Sequence, residues 1–122
     1  MKKIVILFWW MISSIFFTPV FAGEADVVDV KVTHMSGQEY RISVTLEHAD
    51  TGWDHYANAW QIFDENDNLI GERVLHHPHV NEQPFTRSLT LNIPKDIKVI
   101  IIKGQDSVHG LGGKSLRVEL PN

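Results

Sequence analysis

The chain has 122 residues, with 11 basic residues, 15 acidic residues, seven histidines and no cysteine. That length suffices for one small domain and not for two, and without disulfides the fold must rest on a hydrophobic core or a bound ligand. The formal charge of −4 at pH 7 argues against nucleic acid and anionic lipid as partners.

The first predicted element is a targeting segment. Lys2 and Lys3 precede an apolar run from Ile4 to Phe17, and "TPVFA" then places the small residues Val20 and Ala22 at its end. A positive start, an apolar centre and a small-residue close predict a signal peptide over residues 1–22, cleaved after Ala22. A membrane anchor is the competing reading, but a spanning helix needs about 20 predominantly apolar residues, and Ser13, Ser14, Thr18 and Pro19 interrupt this one. No cysteine follows the run to carry a lipid. The expected product is an exported domain, residues 23–122, periplasmic or secreted and without a stable membrane anchor after cleavage. Nine basic residues face 15 acidic ones in it, a formal charge of −6 with the histidines neutral.

Alternation of apolar and polar residues dominates from Val28 onwards. Val28, Val30 and Val32 share one phase; Tyr40, Ile42, Val44 and Leu46 share another, as in half-buried strands. "SGQ" at Ser36 to Gln38 is the turn between them. Further strands are predicted over residues 56–63, 69–75, 86–93, 98–103 and 114–120, with no helical period anywhere. Seven short strands separated by turn signals predict an all-β fold: a single seven-stranded antiparallel sandwich that resembles an immunoglobulin or fibronectin type III domain in architecture alone. Trp60 is the expected large core residue between the sheets.

Two runs look chemical and read better as turns. "DENDN", Asp64 to Asn68, opens like a calcium loop, but Leu69 stands where glycine is needed and Leu75 where a bidentate acid is needed. It is a hairpin turn. "GLGG", Gly110 to Gly113, is followed by a predicted strand and not by the helix a phosphate loop needs, and is expected to be a turn with positive backbone angles.

Consecutive connections in such a sandwich fall at alternate ends, so the second, fourth and sixth share one pole. Those are "HADTGWDHY" (His48 to Tyr56), the stretch from His76 to Phe85 that begins "HHPH", and "DSVHGLGG" (Asp106 to Gly113). Six of the seven histidines map there; His34, in the first connection beside Met35, does not. Neutral imidazole binds zinc, copper and nickel, and several loops together can complete a coordination shell that none could hold alone. The expected metal ligands are His48, His55, His77, His79 and His109, with Asp54, Glu82 and Asp106 accepting the second ring proton of a ligand. Alternate residues of an extended "HHPH" point the same way, which pairs His77 with His79. His48 continues the inward phase of Leu46 and doubles as a candidate core histidine. With no cysteine, and Met35 at the other pole, zinc or copper(II) is expected over cuprous copper.

A second reading makes the same pole a surface for a small ligand or a protein partner, with Trp53, Tyr56 and Phe85 as aromatic anchors and Arg87 as a charged handle. Its bland counterpart is that Tyr56 and Phe85 cap the core. A third reading, a histidine–aspartate general base, ranks last, because Ser107 is the only nearby serine and no nucleophile motif surrounds it.

Overall fold

The computed structural model describes residues 23–121; the signal peptide expected over residues 1–22 lies outside them. Seven strands follow in chain order: β1 (Asp26–Ser36), β2 (Glu39–Glu47), β3 (Ala57–Phe63), β4 (Leu69–Val74), β5 (Phe85–Asn92), β6 (Val99–Asp106) and β7 (Gly110–Glu119). They pair antiparallel in two sheets, β1-β2-β5 and β4-β3-β6-β7. The all-β, seven-stranded, two-sheet arrangement is thus present.

The core is the seam between the sheets. β2 contributes Ile42, Val44 and Leu46, the predicted inward phase, and the second sheet contributes Trp60, Ile62, Ile100 and Ile102, all buried. Trp60 is fully enclosed, as expected of an aromatic that removes some 150–250 Å² from water. The outer face of the first sheet carries polar cross-strand pairs, Ser43 with Ser88 and Thr45 with Thr86, each 2.7 Å apart.

The phase predicted for β1 holds at Val30 and Val32, which pack against the core, and fails at Val28, where the register shifts. Val27 pairs with Leu46 and Asp29 with Thr45, so Val28 is the extra residue of a bulge. Ala25 and Val27 are therefore buried while Val28 is 38% exposed. The start of β1 crosses onto the second sheet and lies so close to β6 that a Cβ on Gly104 would stand 2.9 Å from the Ala25 carbonyl oxygen. This approach closes the sandwich along one edge. "DENDN" is the β3–β4 turn, with Asp64 accepting the backbone N–H groups of Asn66 and Asn68.

The sixth connection is shorter than predicted. β6 runs on to Asp106 and β7 begins at Gly110, which leaves only Ser107, Val108 and His109 as the loop. Two glycines of "GLGG" do take positive φ, Gly110 at 73° and Gly113 at 69°, but the run lies inside β7. A three-residue hairpin loop closed by glycine in the left-handed region explains the shortening.

Candidate metal site

Asp106 ends β6 opposite Ala57 of β3 and Gly110 of β7. Its Oδ1 accepts the backbone N–H of Val108 at 2.8 Å and that of His109, the local bonding that makes aspartate favourable at the head of a tight turn. Oδ2 is left free to face inward, and three imidazoles surround it. His48 Nε2 lies at 3.2 Å, His55 Nε2 at 3.0 Å and His109 Nδ1 at 2.9 Å. Burial of the Asp106 carboxyl by itself would raise its pKa. The His109 N–H and ring, the His55 ring and the Val108 N–H outweigh that and hold it well below the usual carboxylate range.

The histidines arrive from different elements. His48 follows β2 and continues the inward phase of Leu46. His55 closes a tight turn in which its N–H donates to the Gly52 carbonyl at 3.2 Å and its own carbonyl accepts from Thr51 at 3.0 Å. His109 sits at the tip of the β6–β7 hairpin. The side chains of His48 and Asp106 are sealed, that of His55 is 14% exposed and that of His109 is 42% exposed. Solvent therefore reaches the cluster from the hairpin side.

Behind His48 stands a second buried carboxylate. His48 Nδ1 lies 2.5 Å from Asp50 Oδ1, which also accepts the Ala57 N–H at 3.1 Å, while Asp50 Oδ2 accepts the His79 N–H at 2.7 Å. A carboxylate serving those two backbone donors offers His48 only an acceptor, which favours a proton on Nδ1. In that tautomer His48 Nε2 turns a lone pair toward Asp106 Oδ2, 3.2 Å away, an arrangement that calls for a cation, either a proton or a metal ion, between them.

The other candidate residues sit elsewhere. His76 and His77 are exposed, and His77 Nδ1 lies 3.2 Å from the Pro78 carbonyl. His79 is buried, stacked on Phe85 with ring centroids 3.9 Å apart, and its Nε2 accepts from Arg87 at 2.9 Å. Burial, then the charge of Arg87 and the neighbouring His77, lowers its pKa and favours the neutral ring. The rings of His77 and His79 are paired, 4.7 Å apart, but His79 reaches the cluster only through its backbone. Asp54 and Glu82 are exposed, Glu82 lying 3.6 Å from Arg87. Asp106, expected as an outer acceptor, is the centre of the cluster. Phe85 is buried, whereas Trp53 is 67% exposed and meets Tyr56 edge-on at 5.6 Å. His34 is exposed at the opposite pole, with Nε2 2.7 Å from the Gly37 carbonyl oxygen.

Asp50 and Gln83 were not singled out from the sequence. Asp50 stands two residues from His48, the spacing at which an extended segment returns to the same side, and that was its one available signal. Gln83 accepts the His48 N–H and donates to the His79 carbonyl, both at 3.0 Å. Nothing in its neighbourhood in the sequence marks it.

No protein-family model matches the chain. A protein of Halomicrobium mukohataei named "Putative lipoprotein" is 40% identical over 96 residues, a match that covers 79% of this chain and 47% of that protein. The chain thus spans about half the length of this relative. Among solved structures, the superoxide reductase (neelaredoxin) of Ignicoccus hospitalis superposes with a TM-score of 0.53 at 15% identity, covering 80% of each chain. A variant of that protein gives 0.50 at 16%, with the same coverage. At such identities the likeness is one of fold: this chain has a β-sandwich of the kind seen in that superoxide reductase.

Proposed function

We propose that His48, His55, His109 and Asp106 bind a divalent transition-metal ion, zinc or copper(II), in an exported domain. The observation that carries this reading is one buried carboxylate oxygen with three imidazole nitrogens 2.9–3.2 Å away. Donors about 2.0–2.2 Å from one ion stand roughly 3 Å apart along the edges of its coordination shell. One carboxylate oxygen and two imidazole nitrogens, those of His48, His55 and Asp106, lie within 4.8 Å of one another. The donor set, neutral nitrogen with carboxylate and no thiolate, suits zinc, copper(II), nickel or ferrous iron. The structural neighbours are named superoxide reductases, a redox activity, so ferrous iron belongs among the ions offered.

The test is calorimetric titration of the exported protein, purified without a polyhistidine tag, with each of these ions in turn. One ion per chain is expected, with proton release because the ligands must deprotonate. His55→Ala and Asp106→Asn should abolish binding at that stoichiometry, and His34→Ala should leave it unchanged. Stoichiometric binding that survives Asp106→Asn would overturn the proposal.

Export rests on residues 1–22 as a signal peptide, with Gly23 as the mature N-terminus and an immunoglobulin-type sandwich following it. The relative's name speaks of a lipoprotein, although none of the 122 residues here is a cysteine. N-terminal sequencing of the exported form decides the cleavage point. A second reading, docking of a small ligand or protein partner, is supported by the exposed Trp53, packed edge-on against a half-buried Tyr56. Trp53→Ala should leave the metal titration unmoved if that surface is separate.

A further inference from the structure

We infer that Asp50 is the positioning residue of the site, and that the "HHPH" loop serves the site by holding Asp50 and not by offering its imidazoles. The inference deepens the metal-binding reading, because it names what decides which nitrogen of His48 faces the ion.

Every oxygen of Asp50 has an assigned donor. Oδ1 lies 2.5 Å from His48 Nδ1 and accepts the Ala57 N–H; Oδ2 accepts the His79 N–H. The side chain is sealed from solvent, as is that of His48, so water cannot substitute for a lost partner. Ala57 opens β3 and is buried. The other anchor, the His79 N–H, belongs to a loop and needs holding of its own. Gln83 provides it by bridging the His79 carbonyl and the His48 N–H, and the His79 ring is trapped between Phe85 and Arg87. With Nε2 accepting from Arg87, the His79 proton lies on Nδ1, an atom that is buried and unpartnered among the described residues. That ring is consequently a packing element, unable to reach an ion. The chain of contacts runs from the loop through Asp50 to His48 Nε2, which points at Asp106.

A carboxylate behind a liganding histidine fixes its tautomer and strengthens the ligand, and removing such a partner weakens metal binding about 10–100-fold. The test combines two readouts on the full exported chain. In the first, zinc chloride is titrated into wild type, Asp50→Asn, Asp50→Ala and Gln83→Ala, each first checked for a cooperative thermal transition. Both Asp50 variants should weaken zinc by about 10–100-fold, and Gln83→Ala by less. Wild-type affinity in both Asp50 variants overturns the inference. In the second readout, long-range proton–nitrogen spectra of the metal-free protein above neutral pH report the His48 tautomer. Wild type should carry the proton on Nδ1 and the Asp50 variants should show a tautomer mixture. A wild-type His48 protonated on Nε2, or a tautomer indifferent to Asp50, overturns the inference whatever zinc does. Failure of wild type to take zinc would remove zinc from the ions the site can hold, while the tautomer still decides the role of Asp50. If Asp50→Ala does not fold, the isosteric Asp50→Asn carries both readouts.

Discussion

Two sets of histidines share one pole of the sandwich and differ in almost everything else. His76, His77 and His79 are adjacent in sequence, yet the first two are exposed and the third packs its ring on Phe85. His48, His55 and His109 are separated by up to 61 positions and meet on one oxygen of Asp106. Local density is therefore a poor guide to a site. Adjacent imidazoles on an extended loop diverge, because consecutive side chains point to opposite sides. Imidazoles delivered by separate elements converge only where those elements end together around a group that needs them. Here that group is a carboxylate buried by the fold, which recruits every donor within reach.

The largest effect should come from a change that removes both sets together. Trp60→Ala takes out the centre of the seam that holds every loop, and should cost about 3–5 kcal/mol. Chemical denaturation measures it; an unchanged midpoint would mean that neither set depends on the core as described. Next in size is the response to an ion. A ligand that binds only the folded chain stabilises it by about 2.7 kcal/mol at a hundredfold its dissociation constant. The melting temperature should therefore rise with zinc or copper(II) in the His77→Ala variant as in wild type, and fail to rise in His55→Ala and His109→Ala. Loss of the rise in His77→Ala would move the site to the loop and reverse the comparison.

The third prediction concerns acid. The carboxyl of Asp106 titrates lower in the fold than in the unfolded chain, where aspartate lies near 3.9. Its contribution to stability is therefore fully present above about pH 4 and is lost as the pH falls through the folded value. Asp106→Asn should cost about 1–3 kcal/mol at neutral pH by leaving imidazole donors poorly matched. It should also flatten the acid limb of stability against pH. An acid limb of wild-type steepness in the variant would assign it to other carboxylates. His79 works the same way at higher pH. Its folded pKa is lowered, so the unfolded chain binds the proton first and stability declines as the pH drops below about 6.5. His79→Gln should remove that decline. The smallest effect is expected for His77→Ala without metal, within about 0.5 kcal/mol, as for an exposed side chain with no special role. A larger loss by thermal denaturation would show that the loop depends on more than His79 and Gln83.

Several elements were legible from residues alone. The alternation of Tyr40, Ile42, Val44 and Leu46 predicted both a strand and its buried face, because period two leaves only one side for the core, and the buried set is the predicted one. The sharing of a pole by three connections followed from counting strands, since antiparallel neighbours return the chain to the same end. The phase of β1 was legible at Val30 and Val32 but not at Val28 and the residues before it. A bulge at Val28 depends on how β1 must register with β2, and one inserted residue puts the side chains before it out of step with those after it.

The sequence by itself determined the element types and the pole that holds six imidazoles, because these follow from period and turn chemistry, both local quantities. Which of those imidazoles meet was decided only by tertiary structure. Asp106 became the hub because β6 extends far enough to bury its carboxylate beside the end of β2. Asp50 became the partner of His48 because the His79 N–H and the Ala57 N–H come to it from parts of the chain 29 and 7 residues away. Side-chain direction at a loop is set by hydrogen bonds between distant segments, and a linear pattern carries no record of them.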